Sequence, residues 1–278
     1  MRRRLDTELV RRGLVPSRSR AAHQIEAGNV TVAGAPARSA ARLVDGAEPI
    51  VVMGPPPRFV SRGGEKLEAA LDHFGVAVSD RRALDAGAST GGFTDCLLQR
   101  GAREVVAVDV GRGQLAWSLR NDPRVAVLER TNVRHLELAD LGEPAEVATA
   151  DLSFISLVLV APALHRLTTA DADLVALVKP QFEAGRANVG RGGIVRDPQV
   201  HRAVLARVVH GLADQGLSTV AAMASPLRGA DGNREFLIHA RKSAAGPVDD
   251  ATLDRIVEGR DGARGEAADR HDAGGGAP

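Results

Sequence analysis

A turn of glycine and small residues between a buried strand and a helix constrains this chain more than any other feature. Arg82 to Leu84 reads as the end of a buried strand, Asp85-Ala-Gly-Ala-Ser-Thr-Gly-Gly follows, and a helix is expected from about Phe93 to Arg100. A strand, turn and helix of this kind wraps a nucleotide-like ligand. Sites that hold a dinucleotide pyrophosphate space their glycines G-x-G-x-x-G, whereas here Gly87 is followed by Ala88, Ser89 and Thr90. The departure disfavours a nicotinamide-dependent reductase, as does the absence of any tyrosine for a Tyr-Lys proton relay. An acid two positions before the first glycine suits a ligand that carries positive charge and no phosphate, which describes S-adenosylmethionine.

From residue 82 onward, strand-like and helix-like stretches alternate. Strands are expected over 82–87, 104–110, 125–129, 146–151, 173–178, 218–224 and 234–241, giving an α/β fold with a seven-stranded, doubly wound, Rossmann-like sheet, parallel and covered by helices on both faces. Ligands of such sheets bind beyond the carboxyl ends of the strands, where Asp85, Asp109, Asp151 and Lys179 fall. Asp109 is placed to accept hydrogen bonds from ribose hydroxyls. Proline after Lys179 holds that residue extended, so its side chain is aimed rather than left on a helix face. Glu235 opens the last strand after a glycine-rich loop. Upstream, a helix from about Gly64 to Phe74 turns Leu67, Ala70, Leu71 and Phe74 inward. Lys66 lies in its first turn, where a cation opposes the helix dipole, and a misplaced cation points to function.

The net charge of +1 hides an asymmetry: residues 1–60 carry ten Arg against five acids, and residues 243–278 four Arg against eight. A basic head on a neutral body points to a polyanionic partner. The head reads as helix, helix, hairpin, with Leu5 and Leu9 on one face, Ser17 capping a second helix that Gly28 ends, and Val30-Thr31-Val32 entering a turn at Ala33-Gly34. Gly54-Pro55-Pro56-Pro57 is a stiff linker. The expected division is a small α+β head over 1–53, a linker over 54–60, a catalytic domain over 61–242, and over 243–278 one short helix (Leu253, Ile256, Val257) before a disordered acidic end. One cysteine, Cys96, rules out internal disulfides and Cys-ligated zinc, and the histidines show no ligand spacing, so no metal is expected. With no long apolar run and no signal-like start, the expectation is a cytoplasmic protein without membrane contact.

The head resembles a small RNA-binding domain shared by a ribosomal protein and several pseudouridine synthases, through Leu5-Asp6, Leu9, Gly13, Ser17-Arg18, Ala21-Ala22, Ile25 and Gly28 to Gly34. The chain from about residue 4 to 242 resembles the TlyA family of ribosomal RNA ribose methyltransferases, whose catalytic domain is FtsJ-like and which older usage labels hemolysins. The matching segments are Ser61 to Leu67, the Asp85 stretch, Gly113 to Trp117, Asp151 to Ser156, Lys179 to Gly185 and Ser225 to Phe236. The resemblance implies a catalytic tetrad of Lys66, Asp151, Lys179 and Glu235. It implies cofactor contacts from Asp85, Gly87, Ala88, Ser89, Gly91, Gly92, Phe93, Asp109, Asn132 and Asp151, and RNA contacts from Arg3, Arg4, Arg11, Arg12, Arg18 and Arg20. The implied reaction is transfer of a methyl group from S-adenosylmethionine to a cytidine 2'-hydroxyl of ribosomal RNA within ribosomal subunits, with both subunits favoured by the extended termini.

Overall fold

The computed structural model describes residues 2–15, 17–54, 57–242 and 246–259. Pro55 and Pro56 of the expected linker and the expected disordered end from 260 lie outside the described residues. The chain divides into two compact units after Ser61.

The first unit pairs β1 (Arg3–Arg4) with β4 (Leu43–Val44) and sets β2 (Val30–Val32) between β3 (Ala35–Pro36) and β5 (Ile50–Val52), all antiparallel. Helices α1 (Leu5–Arg11) and α2 (Arg18–Glu26) complete it, and Ser17 caps α2 by accepting a hydrogen bond from the Arg20 amide at 3.2 Å. The turn between β2 and β3 places Ala33 and Gly34 at φ 52° and 80°, the left-handed pair that a tight hairpin requires. Leu5, Leu9, Ala21, Ile25, Val30, Val32 and Val44 form a small core.

The second unit opens with α3 (Arg62–Phe74) and then alternates β6 (Arg82–Ala86), α4 (Gly92–Gln99), β7 (Glu104–Val108), α5 (Trp117–Arg120), β8 (Val125–Leu128), α6 (Leu138–Leu141), β9 (Ala145–Ala150), α7 (Ala161–Arg166), β10 (Thr168–Val178), α8 (Pro180–Glu183), α9 (Pro198–Ala213), β11 (Ser218–Ala224), β12 (Phe236–Arg241) and α10 (Asp250–Glu258). The sheet order is β11-β12-β10-β9-β6-β7-β8. Strands β6 to β10 are mutually parallel, but β12 runs antiparallel to both β10 and β11, so the sheet is mixed rather than wholly parallel. The reason is local: no helix separates Ala224 from Phe236, and strands joined by a short loop pair antiparallel, whereas a parallel return needs a crossover. The strand order reverses between β6 and β9. From β6 the chain steps outward to β7 and β8, then returns to the other side at β9, which opens a crevice at their carboxyl ends.

Candidate active site

The strand order lays the candidate residues along one edge. From β12 to β7 that edge carries Glu235, Lys179, Asp151, the Gly87 turn and Asp109, and the Val178–Phe236 register makes Lys179 and Glu235 cross-strand neighbours. Gly87 and Gly91 adopt φ 90° and 97°. A Cβ on Gly87 would stand 2.6 Å from the Asp151 carbonyl oxygen, so glycine lets the turn close against β9. A Cβ on Gly91 would strike Leu119 at 2.2 Å, so this glycine makes room for α5.

Asp85 has no exposed surface. Its oxygens accept hydrogen bonds from the Thr94 hydroxyl at 2.6 Å and the Thr149 hydroxyl at 3.2 Å. It lies beneath the turn and does not reach the crevice, a correction to its expected direct contact; Phe93, 3% exposed, is likewise interior. Burial raises the Asp85 carboxyl from 3.8 to about 7, and the charge of Asp151 adds to the rise. A folded value above the unfolded one means that the native state holds the extra proton. The stabilisation is therefore fully present below about pH 4 and is lost as pH rises through 7. Asp85→Asn is expected to gain stability relative to wild type progressively between pH 4 and pH 8, by an amount on the order of a few kcal/mol. An equal melting difference at both pH values contradicts this placement of the charge.

An open depression beside the turn is lined by Ala88, Ser89, Ala107, Asp109, Gly111, Gln114, Leu115, Val127 and Glu129. Asp109 accepts hydrogen bonds from the Ser89 amide at 2.8 Å and the Gly111 amide at 2.6 Å, joining the loops after β6 and β7. Glu129, which sequence reasoning missed, holds the Gly113 amide at 2.6 Å and pairs with Arg120. Apolar walls, two carboxylates and no lining cation fit an uncharged sugar and base and repel a phosphate. Of the expected cofactor contacts, Ala88, Ser89 and Asp109 line this pocket. Asn132 does not; its side chain accepts the Arg134 amide at 3.1 Å. Asp109→Ala is expected to weaken binding of S-adenosylmethionine by about 1–3 kcal/mol, the loss when hydrogen bonds to a charged group go. Titration calorimetry checks it, and unchanged affinity removes Asp109 from the site.

The four remaining residues form two charge pairs. Lys66, on α3, bonds Glu235, and both are nearly buried. A Cβ on Gly229 would stand 2.6 Å from Glu235 Oε1, so the loop before β12 packs closely against the carboxylate. Lys179, preceding α8, stands 2.6 Å from Asp151 Oδ1 and donates to Ser153 Oγ at 3.1 Å. The contact with Asp151 is a charge contact without hydrogen-bond alignment, so that buried oxygen keeps its acceptor capacity for a further donor. Glu183 ties α8 to the Asp151 loop, accepting from Ser156 Oγ and the Leu157 amide at 2.7 Å each.

Beside Lys179, Phe154 is 89% exposed, adopts φ 65° and lies on the Phe182 ring with centroids 4.9 Å apart. An exposed aromatic held in an unfavourable backbone region is a candidate functional position. Sequence reasoning left it unassigned, although aromatics make up only 3% of the chain.

In the head, four of the six expected RNA-contacting arginines are engaged by two buried acids. Asp6 takes Arg4 at 2.9 Å and Arg18 at 3.0 Å, while Glu8 takes Arg11 at 2.6 Å and Arg12 at 2.8 Å. Arg12 also donates to the Glu48 and Gly46 carbonyls at 2.8 and 2.9 Å, which makes it part of the head's own framework. Arg3 and Arg20 are half-buried.

Compared with known proteins, residues 59–242 match the FtsJ-like methyltransferase family and residues 3–50 match the S4 domain. A Mycobacterium tuberculosis relative named 16S/23S rRNA (cytidine-2'-O)-methyltransferase TlyA is 50% identical and covers 93% of this chain and 98% of its own. Hemolysin A of Brachyspira hyodysenteriae is 41% identical over 85% of this chain and 98% of its own. The solved structure of a protein described as a hemolysin from Streptococcus thermophilus superposes with a TM-score of 0.77 at 40% identity, covering 93% of this chain and 95% of that one. Proteins named for methyl transfer and for hemolysis thus share one sequence pattern and one architecture. The chain belongs to the FtsJ-like methyltransferases, in the TlyA family, with an S4 domain ahead of the catalytic one.

Proposed function

We propose that this chain methylates the 2'-hydroxyl of cytidine in ribosomal RNA, acting on both ribosomal subunits, with S-adenosylmethionine as donor. The observation that carries the reading is the edge itself, where two Lys-carboxylate pairs stand beside a phosphate-averse nucleoside pocket at the point where the strand order reverses. The cofactor supplies an electrophilic methyl group on a sulfonium. This chain's residues then have two tasks: to hold a ribose hydroxyl in line with that methyl, and to take its proton. Lys179, the less buried lysine, orients or deprotonates the hydroxyl; Asp151 and Ser153 fix its ammonium. Lys66, clamped by Glu235, stabilises the negative charge that develops on oxygen. Phe154 offers a flat surface for a base turned out of its stack.

The arginines support a nucleic-acid partner at this edge. At the amino edge of the sheet they are spent on acids: Arg81 on Asp173, Arg82 on Glu104, Arg103 on Glu146 and Arg124 on Asp122. At the carboxyl edge Arg130, Arg186, Arg191, Arg196 and Arg228 are exposed and form no ion pair among the described residues. A rim of uncompensated positive charge around a catalytic crevice attracts a polyanion.

A membrane-active hemolysin, the reading suggested by the older names, gains no support from the helices: none among the described residues is long and apolar enough to cross a membrane. Dye-loaded liposomes are expected to stay intact with the purified protein. The substrate is tested by incubating purified small and large subunits separately with tritiated S-adenosylmethionine. Label is expected in both, as for the relative named for 16S and 23S RNA; label in the large subunit alone confines the activity to one substrate, and label in neither rejects the reading.

A further inference from the structure

We infer that Arg234 is a positioning residue of the active site, and that its bonds to the last turn of helix α10 set the geometry of the Lys66–Glu235 pair. The inference rests on the reading of that pair as catalytic.

Residues alternate across β12. Glu235 and His239 face α3, where they meet Lys66 and Phe74, while Phe236 and Ile238 join the core that contains Leu253, Ile256 and Val257 of α10. Glu235 stands one residue before the ladder begins, and its carbonyl is held by the Ser225 amide at 2.9 Å. Phe236 is fully buried, and Arg234 lies over the Phe236 ring, 5.2 Å from its centroid. From there the Arg234 guanidinium reaches the last turn of α10, donating to the Val257 carbonyl and, at 2.9 Å, to the Ile256 carbonyl.

The chemistry of that contact is specific. Carbonyls in the last turn of a helix carry the negative end of its dipole, and the guanidinium fork meets two of them, Val257 and Ile256, the latter also accepting the Gly259 amide at 3.2 Å. The other end of α10 is fixed independently: Arg202 of α9 bonds Asp254 at 2.6 Å and Asp250 at 2.7 Å, and Asp249 caps the helix by accepting the Thr252 amide at 2.8 Å. Helix α10 is thus a rigid post on one face of the sheet, and Arg234 ties to it the residue whose neighbour clamps Lys66 on the other face.

Arg202 supplies the control, since it anchors the same helix far along the chain from Glu235. Arg234→Ala is expected to lower kcat roughly 10- to 100-fold while KM for cofactor and for RNA stays within about threefold, the signature of a catalytic group displaced by a fraction of an ångström. Arg202→Ala is expected to lower Tm comparably and to leave kcat within about threefold of wild type. Arg234→Lys, which keeps a cation at the helix terminus, is expected to recover part of kcat; should the alanine variant not fold, Arg234→Lys set against Arg202→Ala decides. Equal kcat losses in the Arg234 and Arg202 variants, or none in either, overturn the inference. Lys66→Ala, assayed alongside, separates the two failures. If that variant keeps its activity, the catalytic reading is wrong; if it is dead while the Arg234 variants turn over normally, only the role of Arg234 is wrong.

Discussion

Alanine at Lys179 is expected to reduce methyl transfer by roughly 100-fold or more, the scale of a lost general base, while binding of S-adenosylmethionine changes little. The side chain stands against Asp151 and Ser153 and lines no part of the pocket at Asp109, so its loss is expected to leave cofactor binding intact. Lys66→Ala is expected to be at least as damaging, for two reasons that separate experimentally. It removes the cation beside the developing oxygen charge, and it strands Glu235, 3% exposed, without its counter-ion. Breaking a buried pair from one side costs about 3–5 kcal/mol of stability. Lys66→Met with Glu235→Leu removes both charges and is expected to restore stability without restoring turnover. Single-turnover assays at saturating cofactor, beside calorimetric affinities, check both residues. Near-normal turnover of Lys179→Ala takes that residue out of the chemistry.

Deleting residues 1–53 is expected to abolish methylation of ribosomal substrate, again by about 100-fold or more, with cofactor affinity intact because the pocket lies wholly within the second unit. The S4 head is expected to hold RNA chiefly by charge. Asp6 and Glu8 each hold two arginines, so each cluster keeps a net positive charge. Affinity should therefore fall steeply with salt, each lost phosphate contact lowering the log–log slope by about 0.7–0.9. Arg12→Ala is expected to act differently from its neighbours, lowering the melting temperature of the head more than its RNA affinity, because Arg12 is bonded to backbone carbonyls. If the deleted protein methylates ribosomal substrate as fast as the intact chain, the head is not a substrate-binding element.

Strand-end positions were legible because they follow from periodicity. The seven strands fall within a few residues of their expected limits except at the amino end of β10, which starts at Thr168, and Asp109, Asp151 and Lys179 stand at the carboxyl ends where the alternation puts them. Lys66 was legible as a cation in the wrong turn of a helix, and the structure supplies what offsets it, the Glu235 carboxylate. What sequence does not encode locally is depth and pairing. Nothing in Leu84-Asp85-Ala86 says that the carboxylate sinks to zero exposure between two threonines, since Thr149 arrives from a strand far along the chain. The same holds for Asp6 and Glu8, whose burial turns an apparent surplus of free arginine into two ordered clusters. Gly229 and Arg234 read as loop residues until β12 is seen to reverse, which brings one against the Glu235 carboxylate and the other against α10. The reversal itself had a signal, the missing helix between Ala224 and Phe236.

The central claim is transfer of a methyl group to a ribose oxygen, and the product states it most directly. Ribosomal RNA methylated in vitro by the purified protein, digested to nucleosides and resolved by mass spectrometry, is expected to contain new 2'-O-methylcytidine that Lys179→Ala does not produce. A base-methylated nucleoside in its place, or ribose methylation that persists undiminished in Lys179→Ala, contradicts the account.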